Sequence, residues 1–150
     1  MTVEERKQLS QYLAISWKAA KLYEKICSIP AKKYGLTKCD KDVLLFLHNN
    51  ENLDTASDIV KYRSISKSLV CKSVNDLTVR GLLRTEPDQD DSRRVHLQIT
   101  SEGQPIAVEL RHMQDQFFTL LSEGISAEEH EAFFGCLQKI TRNINEYMED

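Results

Sequence analysis

Ser66-Lys67-Ser68-Leu69-Val70-Cys71-Lys72-Ser73-Val74-Asn75 is the stretch whose side chains suggest chemistry most directly. Val70, Val74 and Leu77 recur at helical spacing and make an inward stripe. Lys67, Cys71 and Asn75 lie along another face, with Ser68 and Lys72 beside them. Such a face is polar, basic and built of short or flexible side chains, which suits entry into a major groove. Ser66 and Ser68 sit in the first turn, where hydroxyls and backbone N–H groups hold a phosphate. Asn75 suits adenine, and Lys67 or Lys72 suits guanine; one chain does not assign the contacts. Arg93 and Arg94 are a second basic pair, placed between two strand-like stretches, and arginine suits both phosphates and a minor groove. Asp88, Asp90 and Asp91 beside them would repel a polyanion if all pointed outward. An Asp91–Arg93 ion pair shaping the loop is therefore expected, which leaves Arg94 the stronger candidate for direct contact.

Other chemistries find little support. There is no phosphate-cradling glycine loop, no nucleophile elbow and no cluster of histidine with carboxylates, so no catalytic residue is assigned and an enzyme is not expected. Cys27, Cys39, Cys71 and Cys136 match no metal knuckle and no Cys-x-x-Cys pair, and are read as reduced thiols. His48, His96, His112 and His130 are scattered, so neither a metal site nor a cofactor is expected. No window approaches the roughly 20 apolar residues of a membrane span. The opening MTVEERKQLS has no apolar run behind a basic head, which argues against secretion and leaves the cytoplasm as the default.

The net charge of -3 disfavours nucleic acid at first sight, but its distribution does not. Between Lys61 and Arg84 stand six basic residues (Lys61, Arg63, Lys67, Lys72, Arg80, Arg84) against Asp76 alone. From Ser101 onward ten acidic residues face three basic ones. Affinity for a polyanion follows the local potential, so a basic patch can bind DNA despite a negative total, with the acidic end facing away.

The elements that must position these residues follow from period and punctuation. Thr2 and Glu5 form a capping box for a long amphipathic helix to about Cys27, with Leu9, Leu13, Ala20, Tyr23 and Cys27 roughly on one face. Pro30 and Gly35 punctuate a linker. Thr37 and Asp40 open a largely buried helix that ends at Asn49-Asn50. Thr55 and Asp58 open a short one, and Ser66 caps another that runs to Arg80 before Gly81. The period then changes to two: Val95, Leu97 and Ile99 alternate with polar residues and pair with Leu82–Glu86 across a long polar loop. Thr100 or Ser101 starts a helix with a stripe of Ile106, Leu110, Met113, Phe117 and Leu120, ended by Gly124. Ser126 and Glu129 cap the last, striped by Phe133, Leu137, Ile140, Ile144 and Tyr147.

The fold class is thus mainly α with a small β-hairpin wing: one unit over 1–150, with a winged helix-turn-helix at 37–100. The flanking helices, 2–27 and 101–148, carry more apolar surface than the central unit can cover, so they are expected to build a homodimer interface.

The chain resembles the MarR family of winged helix-turn-helix transcriptional regulators. The resemblance rests on Thr55–Val60 leading into Ile65–Val70, on Leu77–Arg84 with Gly81 closing the helix, and on a hairpin signature. In that signature the family's aspartate and arginine fall on Asp91 and Arg93, and its threonine and glycine on Thr100 and Gly103. Ser92 and the second arginine, Arg94, depart from the usual pattern. The resemblance implies a triangular dimer reading a palindromic double-stranded operator, usually as a repressor released by a small aromatic or phenolic effector. Trp17, Tyr23, Tyr34 and His48 are the effector candidates near the expected helix junctions. Two alternatives stand beside this reading. One is a redox-responsive regulator, in which oxidation of Cys71 clashes with the phosphates; the other is a winged-helix module that binds protein.

Overall fold

The computed structural model describes residues 1–91 and 93–148; Ser92, which departs from the family pattern, lies outside the described residues. The chain divides into two compact units, residues 1–117 and 118–150. The first holds α1 (Val3–Lys33), α2 (Lys38–Asn49), α3 (Ala56–Arg63), α4 (Lys67–Val79), β1 (Leu83–Pro87), β2 (Val95–Ile99) and most of α5 (Gln104–Ser122). The second holds the end of α5 and α6 (Ala127–Met148).

Local capping chemistry sets most helix starts. Thr2, Thr37 and Thr55 each accept the backbone N–H three residues on, while Glu5, Asp40 and Asp58 reach back to the cap's own N–H. Ser126 and Glu129 repeat this exchange before α6. Two otherwise orphaned donors are satisfied at each box. Thr37→Ala is accordingly expected to lower stability by about 1 kcal/mol. Urea unfolding followed by circular dichroism would show it, and an unchanged midpoint would remove the cap from the account. Gly35, Gly81 and Gly124 follow their helices at positive φ, the left-handed conformation in which a side chain would be strained.

Two boundaries differ from the sequence expectation. α1 does not stop near Cys27 but runs through Pro30 to Lys33. A proline inside a helix forfeits one N–H bond. Here the ring is fully buried, and the helix ends within a turn, where the Tyr34 N–H bonds the Pro30 carbonyl at 3.1 Å. α5 begins at Gln104 rather than at Thr100 or Ser101. Thr100 is held back by the preceding segment: its N–H bonds the Leu82 carbonyl at 3.1 Å, and its hydroxyl donates to the Gly81 carbonyl at 2.6 Å.

The core is centred on α2. Val43, Leu44, Leu45 and Phe46 are all buried, packed with Ile59 of α3, Val70 and Leu77 of α4, Leu83 and Leu97 of the hairpin, and Ile106 and Leu110 of α5. β1 and β2 pair antiparallel with Leu83 opposite Ile99 and Glu86 opposite His96. Of the expected inward face of β2, Leu97 is buried and Ile99 half-buried, whereas Val95 is exposed.

Polar residues are buried in this unit as well: Asp40, Lys41, Thr55, Ser73 and Gln114. Lys41 is 1 % exposed, and its Nζ lies 3.0 Å from Glu24 Oε1 and 3.6 Å from Asp42 Oδ1, above the Tyr23 ring. A buried ammonium persists only when paired, and this pairing ties α1 to α2. Further along, the Tyr23 hydroxyl accepts from Gln114, whose own carbonyl accepts from Asn49. Burial pushes Tyr23 up to about 12 and raises Asp42 above the usual carboxylate range. In contrast, the first half of α1 is exposed, including Leu9, Leu13 and Trp17, and α6 has no buried residue.

Candidate nucleic-acid interface

α4 is presented by its own burial pattern. Val70, Ser73 and Leu77 are buried, while Ser66, Lys67, Ser68, Cys71, Lys72 and Asn75 are all exposed. Ser66 caps the helix, its Oγ accepting the Leu69 N–H at 3.4 Å and standing 3.3 Å from Ser68 Oγ. The outermost row, on the side opposite Val70 and Leu77, is Ser68, Lys72, Asn75 and Val79. Val79 is 80 % exposed and was missed by the sequence reading, although the row's own spacing reaches it. An apolar tip there is suited to a thymine methyl group.

The six-residue basic patch is smaller in three dimensions than along the chain. Arg80 is spent on the Tyr34 and Gly35 carbonyls, at 2.6 and 3.2 Å. Arg84 bonds the Gln98 side chain and approaches Glu86. Arg63 lies over the Phe46 ring and Lys61 over Tyr62. Among the described residues, no ion pair or side-chain hydrogen bond engages Lys67 or Lys72, so these carry the patch.

The hairpin loop is organised differently from expectation. Asp91 does not pair with the Arg93 guanidinium among the described residues; its carboxylate accepts the Arg93 backbone N–H at 3.0 Å. A short chain segment turning back on itself brings that N–H closer than the long side chain, the usual Asx geometry. The anchor is Asp88 instead. One of its oxygens accepts the N–H groups of Asp90 and Asp91 at 2.8 and 2.9 Å, and the other lies 2.8 Å from His96 Nε2. These donors hold Asp88 down at about 2. Of the three aspartates, Asp88 is thus held within the loop as a bonded carboxylate, and both Arg93 and Arg94 stand exposed.

His96 carries the link onward. Its Nδ1 is 2.8 Å from Asp54 Oδ1 in the α2–α3 loop, and the Leu97 N–H donates to the Asp54 carbonyl at 2.7 Å. The sequence reading placed His96 among scattered histidines, because its partner stands 42 residues away.

The combination of a capped, outward-facing α4, a hairpin with two exposed arginines, and Thr100 and Gly103 locking β2 to α5 can be compared with known proteins. The sequence pattern of the MarR family matches residues 34–94, from the end of α1 to the hairpin loop. Residues 34–94, the segment that carries α2 to the hairpin loop, thus bear the MarR-family pattern. Its match with the transcriptional regulator AdcR of Streptococcus pneumoniae is 32 % identical over 88 residues, 59 % of this chain and 58 % of that protein. In structure it is similar to a MarR-family transcriptional regulator from Silicibacter pomeroyi, with a TM-score of 0.80 at 18 % identity, covering 96 % of this chain and 97 % of the other. Bordetella bronchiseptica BpsR, whose DNA binding is regulated by 6-hydroxynicotinic acid, has the same fold, with a TM-score of 0.66 and 23 % identity over 87 % of this chain and 98 % of that one. No helix among the described residues is long and apolar enough to cross a membrane.

The four effector candidates are not gathered at one place. Trp17 is 66 % exposed on α1. Tyr23 meets Phe117 edge-on with ring centroids 5.2 Å apart. Tyr34 donates to Glu109 Oε2 at 2.6 Å, and His48 is half-buried near the end of α2. Tyr23 and Tyr34 are thereby occupied within the protein. A concavity of about 520 Å³ lies elsewhere, between the start of α2 and α4, with Cys39, Asp42, Ser66, Leu69 and Lys72 on its wall. Burial raises the Cys27 and Cys39 thiols and keeps them protonated, whereas Cys71 is exposed on α4.

Proposed function

We propose that two copies of this chain together bind a palindromic stretch of double-stranded DNA and regulate transcription from it, most simply as a repressor. The observation that carries the reading is the exposed row on α4 flanked by Lys67 and Lys72, beside a hairpin presenting Arg93 and Arg94. α4 enters the major groove, with Ser66 and Ser68 on phosphates and Lys67, Lys72 and Asn75 within reach of bases, while the hairpin arginines meet the adjacent backbone or minor groove. Cys71 lies on the same face, close enough to the phosphates for an adduct to obstruct binding.

Pairing is supported by apolar surface that one chain leaves uncovered. Phe133, Phe134, Ile140 and Ile144 of α6 and Leu9, Leu13 and Trp17 of α1 are exposed, and two-fold pairing is the common way to hide such faces. An aromatic or phenolic effector completes the reading. It is supported by the family resemblance and by BpsR, whose DNA binding is regulated by 6-hydroxynicotinic acid.

The test is selection from a randomised duplex library at two salt concentrations. A recovered palindrome with fixed half-site spacing is the expected result, and salt-independent retention or none would overturn DNA reading in favour of a protein partner. Calorimetry with aromatic carboxylates and phenols then decides the effector, which is excluded if none binds and none changes DNA affinity.

A further inference from the structure

We propose that His96 is a positioning residue for the hairpin: clamped between Asp88 and Asp54, it fixes the loop bearing Arg93 and Arg94 to the α2–α3 loop, and it does so only as an imidazolium. The inference rests on the DNA-reading function proposed above.

The argument is one of donors and acceptors. Both ring nitrogens lie 2.8 Å from carboxylate oxygens, Nδ1 from Asp54 and Nε2 from Asp88. An ionised carboxylate only accepts, and a neutral imidazole has a single N–H. Both contacts are therefore hydrogen bonds only when both nitrogens carry protons. Deprotonation leaves one nitrogen lone pair facing a carboxylate oxygen, and one side of the clamp opens. The Leu97 N–H to the Asp54 carbonyl lies next to the clamp, and Asp88 is itself bonded to the Asp90 and Asp91 N–H groups that shape the loop.

The surrounding charges favour the imidazolium. Asp54 faces it from the α2–α3 loop and Asp88 from the hairpin loop. Glu86 is its register partner on β1, with a carboxylate that accepts from Gln98 and approaches Arg84. On its own side of the hairpin, Arg93 and Arg94 precede it at the loop and Gln98 follows on β2. The bonds to Asp88 and Asp54 raise His96 above the ordinary histidine value. A raised value means that the clamp's contribution is complete below the unfolded histidine range, near about 6.5, and is lost as pH rises through the higher folded value.

Three measurements on the full chain test this. Nuclear magnetic resonance titration of the His96 ring should show a midpoint above that of a free histidine, and Asp54→Ala should lower it; a midpoint at or below the free value would overturn the clamp whatever happens with DNA. Next, affinity for a selected duplex, read by fluorescence anisotropy at constant salt, should fall about fivefold as pH rises through that midpoint, the scale of one partly exposed charge-assisted bond. His96→Gln should be flat across the same range, and an unchanged slope would remove His96 from hairpin positioning.

The third measurement separates the clamp from simple charge. Asp54→Ala removes a negative charge near the DNA, so electrostatics alone predict tighter binding. A positioning role predicts weaker binding together with faster hydrogen exchange in β1 and β2. Tighter binding with unchanged exchange would refute it. Failure of DNA binding by the parent protein at every pH would count against the proposed function, while the ring titration still decides the clamp.

Discussion

Gly103→Ala is expected to destabilise the first unit by about 3 kcal/mol, although it adds a single methyl group. A Cβ at this position would fall inside contact distance of the Leu82 carbonyl oxygen and 2.8 Å from Ile99 Cγ2. The carbonyl cannot simply move away, because it accepts the Thr100 N–H that holds β2 to the segment before β1. The Gly103 N–H in turn donates to Thr100 Oγ1 at 3.2 Å. The two residues therefore work together: threonine ties three segments by hydrogen bonds, and glycine lets α5 start against a backbone. Thermal unfolding should shift down by roughly 6–12 °C. Equal stability of the Gly103 variant and the parent would mean that the close approach is not a constraint.

The second large effect is on binding. Removing both exposed ammonium groups of α4, by Lys67→Ala with Lys72→Ala, takes four from the proposed dimer and should weaken affinity about a thousandfold or more near 0.1 M salt. If each lysine meets one phosphate, the two copies together lose four contacts, and the slope of log affinity against log salt should become shallower by about 3.6. A pure phosphate role leaves sequence preference intact, whereas a base contact by either lysine relaxes preference at one position of each half-site. Arg80→Ala is the informative comparison. It also removes a positive charge from the same stretch, but its guanidinium is bonded to the Tyr34 and Gly35 carbonyls. Its loss should therefore reduce stability with little change in the salt slope. A salt slope unaffected by the double lysine change would show that α4 is not the DNA-facing helix.

The contrast between Lys67 and Arg80 shows what a sequence can and cannot reveal. Caps such as Thr37 with Asp40 and Thr55 with Asp58 were legible because donor and acceptor are three residues apart. The outward face of α4 was legible because Val70 and Leu77 fix which side is buried. Partners distant along the chain left no such trace. Lys41 went unremarked in the sequence, and the approach of Glu24 from α1 and of neighbouring Asp42 accounts for its burial. His96 reads as an exposed alternate residue of a strand until Asp54 is placed beside it. Asp91 and Arg93 were correctly put in one loop, but the choice between backbone and side-chain pairing depends on a turn geometry that composition does not encode. Pro30 misled for a related reason, since its cost to α1 is offset by burial of the ring.

The hairpin has a further consequence, for solution behaviour. Among the described residues the sheet has two strands, so the outer side of β1 has no strand beside it. An unpaired strand edge is a template on which another chain can add and begin aggregation. β1 counters this with exposed Arg84 and Glu86 and with Pro87 at its end, a residue that has no N–H to offer an incoming strand. The strand is also only five residues long. A segment that must project from the body to reach a polyanion is in this way kept from recruiting copies of itself when the protein is concentrated.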